Sequence, residues 1–220
     1  MPPRHSPTYD PPPGPVPVVH RDDDLLVVAK PAGLLTVPGR GDHLADCVLA
    51  RLKAVDPEVL LCHRLDRDTS GVMVFARRKA AQRAMGLLFE RRKVRKRYVA
   101  RVAGAVAEAE GTVDLPLIVD WENRPLQRVD HAVGKPAVTD WRRLAVGGGE
   151  TRMRLMPRTG RSHQLRVHMR AIGHPILGDP FYAEGAALAD HPRLMLHAEG
   201  LKFEHPTTGR VVRFEVPAPF

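Results

Sequence analysis

His63-Arg64-Leu65-Asp66-Arg67-Asp68-Thr69-Ser70-Gly71 runs directly into Val72-Met73-Val74-Phe75-Ala76, and the junction of this charged loop with an apolar run decides the fold class. The apolar run, with β-branched Val72 and Val74, reads as a buried strand. The period then changes: Ala81, Ala84, Met85, Leu88 and Phe89 form the apolar stripe of a helix whose other face is basic. Tyr98 to Val102 alternates again as a strand. Upstream, Leu25 to Ala29 is a strand closed by Pro31 and Gly33, and Leu44, Val48, Leu49, Leu52 and Val55 fall at helical spacing before Pro57. Downstream, strands are expected around Gln127 to His131, Val138 to Leu144, Thr151 to Met156 and Val211 to Val216. Leu165, Met169 and Ile172 mark a short helix after Gly160, with Ser162 placed to cap it. Strands in this number without regular βα alternation predict an α+β fold with a mainly antiparallel sheet.

The sequence has 220 residues, 43% hydrophobic and 27% charged, the composition of a globular protein. Met1 to Pro17 carries eight prolines and few aliphatic side chains, so 1–17 is expected to be a flexible, Pro-rich tail. From Val18 to Phe220 no linker-like stretch or repeat interrupts the pattern, which predicts a single domain over 18–220. No apolar run approaches bilayer length, and the N-terminus lacks the basic-then-apolar order of a secretory signal, so a cytoplasmic location is expected. Cys47 and Cys62 are too few for a disulfide framework and read as buried thiols.

The formal net charge is +9, and a protein this basic usually meets a polyanion, with nucleic acid foremost. Between Arg77 and Arg101 there are eleven Lys or Arg and one acid, Glu90. Clustered charge of one sign suits phosphate contacts; a solvated basic face is the plainer alternative.

Two segments hold chemistry-bearing side chains. In the opening loop, Asp68-Thr69-Ser70-Gly71 suits a turn, whereas Leu61 and Leu65 frame the polar groups of His63-Arg64-Leu65-Asp66. A carboxylate partly withdrawn from water beside Arg can stay ionised and reactive. In Arg158-Thr159-Gly160-Arg161-Ser162-His163-Gln164-Leu165-Arg166-Val167-His168, Gln164 and His168 share one helix face, and the helix is either a basic surface element or one that presents Arg166 to an anionic group. His163 and His168 are five apart and do not share a face as zinc ligands four apart would, so no metal site is expected. Lys30-Pro31-Ala32-Gly33 and Gly173-His174-Pro175-Ile176-Leu177-Gly178-Asp179 lack nucleotide-loop spacing and read as constrained backbone near a site.

These four segments, in this order, resemble the RluA-type pseudouridine synthases, over about His20 to Phe220. Leu117-Ile118-Val119-Asp120-Trp121-Glu122-Asn123-Arg124-Pro125 resembles the subgroup that acts on both large-subunit ribosomal RNA and a tRNA anticodon stem-loop. The resemblance implies the pseudouridine synthase fold, a mainly antiparallel mixed sheet with flanking helices and loops around a central cleft. It implies isomerisation of uridine in structured RNA, at uridine 746 of 23S rRNA and uridine 32 of tRNA, without cofactor or metal; a monomer is expected.

By the same resemblance Asp66 is the nucleophile, Tyr98 the active-site tyrosine that stacks on the uracil, and Arg166 the basic partner of the catalytic Asp. Arg64 fills the gap left by the flipped uridine, since the glycosidic bond is shielded inside a stacked loop. Arg92, Lys93 and Arg95 are expected to contact RNA. Many relatives carry an N-terminal module of the S4 type, which is not expected here, and Arg67-Asp68 after the nucleophile follows the broader family rather than the subgroup. Alternatives are a single-specificity synthase for another rRNA or tRNA site, a non-catalytic RNA-binding chaperone, and a glycosidase using Asp66 and Asp68.

Overall fold

A computed structural model describes residues 9–220. The elements run β1 (Val18–Arg21), β2 (Leu25–Lys30), α1 (Val48–Lys53), β3 (Leu60–Leu61), β4 (Ser70–Ala76), α2 (Lys79–Glu90) and β5 (Arg95–Ala103). They continue as β6 (Glu110–Asp114), β7 (Leu117–Val119), β8 (Gln127–Val129), β9 (Val138–Gly147), β10 (Glu150–Pro157), α3 (Gln164–Ala171), α4 (Ala186–Ala189), β11 (Leu196–Glu204) and β12 (Val211–Glu215). The stretch expected to be one domain contains two compact units: Arg97–Leu196 with Phe220, and the described residues up to Lys96 with His197–Pro219.

In the second of these, the Asp66 unit, β4 is the central strand and every one of its residues is buried. It pairs antiparallel with β2 along its length and with the short β3. β11 joins it in parallel through His197 opposite Ser70 and Ala198 opposite Gly71. β1 and β12 extend the pairing antiparallel, on β2 and β11. The predicted stripe of α2 packs as expected: Met85 is buried with Leu25, Val72, Val74 and Phe203, and Leu88 and Phe89 cover the same cluster. Burial of this kind contributes roughly 1.5–3 kcal/mol per large side chain.

In the Arg97–Leu196 unit, β5, β10, β9 and β6 follow one another as antiparallel neighbours. α3 buries Leu165 and Met169 against Ala100, Val102, Met153 and Leu155 of this sheet. β7 and β8 form a separate antiparallel hairpin. Strand pairing in both units is mainly antiparallel and the helices are few, so the α+β expectation holds.

Three local expectations differ. The helix expected from Leu44 to Val55 is shorter, because Cys47 caps it: the sulfur accepts the Ala50 N–H at 3.3 Å, and α1 begins at Val48. Ser162 does not cap α3; His163 takes that position at φ 52°, and Gln164 Oε1 instead accepts the Arg161 N–H at 3.0 Å. Of the expected flexible tail, residues 1–8 lie outside the described residues, while the remainder is tied to the Asp66 unit. Tyr9 donates its hydroxyl to the Asp46 carbonyl at 2.7 Å and accepts the Leu35 N–H at 3.1 Å, and Val16 is buried.

Candidate active site

Asp66 lies in the loop between β3 and β4, half-buried, with exposed Arg64 before it and buried Leu65 between them. The loop is held from several sides. Thr36 donates its hydroxyl to the Leu65 carbonyl at 2.7 Å and accepts the Leu65 N–H at 3.2 Å. Lys30, buried at the end of β2, donates its ammonium to the carbonyls of Pro31 at 2.9 Å and Arg67 at 2.7 Å. The Asp66 carbonyl accepts the Thr69 N–H at 3.2 Å, which closes the turn. Backbone fixed on both sides of one carboxylate is the preorganisation that nucleophilic chemistry needs.

The neighbours explain why His63, Ser70 and Gly71 flank it. His63 Nε2 accepts the Val74 N–H at 3.1 Å, and its ring lies 4.8 Å from that of Phe89. Burial, with Lys96 adding repulsion, pushes the His63 pKa down to about 3, so the ring is a neutral acceptor. His197 Nε2 lies 2.9 Å from the Val216 carbonyl, which can only accept, so Nδ1 is left to accept the Ser70 hydroxyl at 2.8 Å. Gly71 stands at φ 121°, and a Cβ there would meet the Ala198 carbonyl oxygen at 2.2 Å, so only glycine admits the parallel approach of β11. The Asp68 carboxylate takes two N–H groups of Arg67 at 2.8 and 3.1 Å.

The Arg97–Leu196 unit holds Tyr98 and Arg166. Tyr98 is half-buried on β5 opposite Leu155 and packs against the cluster under α3. α3 is not the basic surface helix that was one reading of its sequence: Gln164 to Met169 are buried without a break. Arg166, 2% exposed, forks onto Asp179 through Nε at 2.7 Å and a terminal nitrogen at 2.6 Å. The rings of Phe181 and Tyr182 lie 5.1 Å from its guanidinium carbon, a cation–π cradle. Asp179 also accepts the N–H groups of Phe181 and Tyr182 at 2.9 and 3.1 Å. Within this unit, Asp179 of the Gly178-Asp179 turn is one anionic partner of Arg166.

The shared face of Gln164 and His168 is also real. Both reach the Thr139 hydroxyl, Gln164 Nε2 at 3.0 Å and His168 Nδ1 at 2.9 Å, and His168 Nε2 donates to the Leu115 carbonyl at 3.0 Å. Burial lowers the His168 pKa, in keeping with a neutral ring that both gives and takes a hydrogen bond.

Sequence reading missed Lys30, Thr36, Asp179 and His197 as site supports, because each acts on a residue distant in the chain. A buried Arg demands an acid, but the sequence leaves Arg166 open to a surface position, so the need for Asp179 follows only from the burial of Arg166. Of the expected RNA contacts, Arg92, Lys93 and Arg95 are exposed after α2, with Arg92 at φ 57°. Arg77 and Arg78, counted in the same run, serve the fold instead: Arg77 bonds Asp56 at 2.9 Å and Arg78 bonds Asp24 at 2.6 Å. Cys62 is an inert thiol, its pKa pushed up to about 12 by burial.

Among the described residues, Asp22, Asp24 and His205 bring metal-ligating atoms within 4.8 Å of one another. Each has a structural partner: Asp22 takes the N–H groups of Asp24 and Leu25 at 2.8 Å, His205 bonds Asp22 at 3.2 Å, and Asp24 bonds Arg78.

The family described as RNA pseudouridylate synthase matches residues 24–171. The chain is 50% identical over 214 residues to the dual-specificity RNA pseudouridine synthase RluA of Escherichia coli strain K12, covering 96% of this chain and 98% of that protein. It is 48% identical to the protein of the same name from Yersinia pestis over 204 residues, 92% of this chain and 99% of that one. Among solved structures, human RNA pseudouridylate synthase domain containing 1 superposes with a TM-score of 0.77 at 34% identity, over 95% of this chain and 87% of that one. Human RNA pseudouridylate synthase domain containing 4 does so with a TM-score of 0.75 at 26% identity, over 92% and 88%.

Proposed function

The chain belongs to the RNA pseudouridylate synthase family and is an RNA pseudouridine synthase; from that premise we propose that Asp66 is its nucleophile and that it acts on two stem-loops, in 23S rRNA and in tRNA. The observation that carries the first part is the Asp66 loop itself, whose backbone is pinned by Lys30 and Thr36 on both sides of a half-buried carboxylate. The Lys30 ammonium and the Thr36 hydroxyl reach the Arg67 and Leu65 carbonyls, so these two anchors position the carboxylate through its backbone.

The reaction exchanges one bond for another. The C1′–N1 bond of uridine breaks, the uracil turns, and a C1′–C5 bond forms; C5 loses a proton and N1 gains one, so the nucleotide keeps its composition and oxidation state. An aspartate suits this because it can trap or stabilise positive character at the anomeric carbon. Because the reaction is redox-neutral, no oxidant or reductant is needed, and we take it to proceed without a cofactor. By motif position Tyr98 and Arg166 are further catalytic residues, and Arg64, exposed beside Asp66, replaces the flipped base in the stack. Arg92, Lys93 and Arg95 contribute phosphate contacts. The protein acts as a monomer.

Dual specificity draws its support from the extent of similarity to the E. coli and Y. pestis proteins, whose names carry it, and from the Asp120 to Pro125 segment. The targets are uridine 746 of 23S rRNA and uridine 32 of tRNA. Loop shape and splayed bases, rather than duplex sequence, would let two RNAs share one site. The test supplies purified, chelator-dialysed protein with each minimal stem-loop in turn and maps pseudouridine. Product at both uridines is expected; product in one RNA reduces the claim to single specificity, and loss of activity restored by a metal ion contradicts cofactor independence.

A further inference from the structure

We infer that Trp121 is a stacking platform for an unpaired nucleobase of the substrate RNA, an inference that rests on the reading of this chain as an enzyme for RNA stem-loops.

The two tryptophans of the chain are disposed oppositely: Trp141 is 7% exposed in the core, whereas Trp121 is 65% exposed. A single exposed apolar side chain needs no explanation. What sets Trp121 apart is the construction beneath it. The turn between β7 and β8 is closed by Asp120 N–H to the Leu126 carbonyl at 2.9 Å and Leu126 N–H to the Asn123 carbonyl at 3.0 Å. Asn123 donates its side-chain amide to the Asp120 carboxylate at 2.9 Å. Arg124 donates Nε to the Trp121 carbonyl at 3.3 Å and lays its guanidinium over the indole, 4.5 Å from the ring centroid. One face of the ring is therefore backed by a flat cation, and the ring remains mostly open to solvent.

The hairpin is also anchored to α3. Leu126 and Val129 pack with Val167 and Tyr182, and the Tyr182 hydroxyl accepts the Gln127 N–H at 2.8 Å and meets His163 Nδ1 at 2.7 Å. The same Tyr182 ring lies against the Arg166 guanidinium. An aromatic on a hydrogen-bonded turn whose hairpin packs on the helix that carries a proposed catalytic residue is suited to fixing a substrate's register.

Charge selects the occupant. Asp120 and Glu122 outnumber Arg124 within the turn, so it offers little grip on phosphate. Flat, neutral nucleobases stack on an indole irrespective of sequence, which matches an enzyme required to accept two loops.

The experiment titrates wild-type protein, Trp121→Phe and Trp121→Ala with each stem-loop that the protein modifies, reading indole fluorescence and initial rates. Wild-type fluorescence should be quenched saturably, and the quench should vanish in Trp121→Phe, where buried Trp141 is the remaining indole. Trp121→Ala should raise KM about tenfold with kcat largely kept, and Trp121→Phe should recover part of it. An abasic substitution at the stacked position should cost the wild type affinity and leave Trp121→Ala unaffected. Normal KM for a folded Trp121→Ala, with no quench in the wild type, overturns the platform and leaves the synthase reading standing. Failure to modify either stem-loop overturns the substrate reading and the platform with it.

Discussion

α3 and the turn that follows α2 are both rich in basic residues, and the molecule uses them in opposite ways. Arg166 on α3 is sealed from water, forked onto Asp179 and flanked by two rings. Arg91, Arg92 and Lys93 stand exposed in the turn after α2, and Arg95 stands exposed at the start of β5. The difference lies in what the rest of the chain supplies. A buried guanidinium persists only where an acid and further hydrogen bonds compensate its lost hydration, and Asp179 with its backbone N–H donors does so. The turn after α2 has Glu90 as its one nearby acid in sequence, and its cations stay hydrated, available for phosphate. Charge density in a sequence therefore says little about use until the partner is known.

The comparison breaks first at Arg166. Asp179→Asn or Arg166→Met breaks the buried fork between the two side chains, and should lower unfolding free energy by about 3–5 kcal/mol. Urea denaturation checks this, and a loss below about 1 kcal/mol would show that the pair is not the buried anchor described. Gln164→Ala on the same helix is the next step down. It leaves the Thr159 hydroxyl, the Arg161 N–H and the Val138 carbonyl without the bonds Gln164 now makes, for a loss of about 1–3 kcal/mol.

His63 tests whether burial extends to the margin of the basic run, where Lys96 is itself lowered to about 8 by burial and then by Arg92. The folded pKa of about 3 lies below the ordinary 6.5. The unfolded chain therefore takes up a proton that the folded chain refuses, so the contribution is intact above pH 6.5 and declines as pH falls toward 3. Stability should drop by up to about 1.4 kcal/mol per pH unit in that window. Urea midpoints between pH 7 and 5 read it, and His63→Gln should flatten the trend. The smallest effect on stability is expected from neutralising Arg92, Lys93 and Arg95 together, within about 0.5 kcal/mol. The same variant should reduce the salt slope of RNA affinity by about 2, and an unchanged slope would make the turn a solvated face.

Much of this was legible beforehand because period reports burial. β2, β4, β5, β10 and α2 each show their apolar spacing in the sequence. β11 was not seen, since Leu196-His197-Ala198-Glu199-Gly200 lacks β-branched residues and buries a histidine. His197 becomes intelligible only with Ser70, 127 positions away. β6 was missed for a like reason: Glu110-Gly111-Thr112-Val113-Asp114 has one aliphatic side chain and pairs by backbone with β9. Among the candidate site residues, motif position pointed to Asp66 and Arg166, while the bonds from Lys30 to the Asp66 loop and from Asp179 to Arg166 are known only from the packed chain. Gly71 looked like a turn residue and proved to be the point where β11 meets β4.

The central claim is that a single carboxylate, Asp66, carries the isomerisation. Its most direct measurement is single-turnover conversion of uridine to pseudouridine in a cognate stem-loop by wild type and Asp66→Ala, with thermal melting and RNA affinity recorded on the same preparations. The account predicts no product from the folded, RNA-binding variant. Near-normal conversion by Asp66→Ala would contradict it.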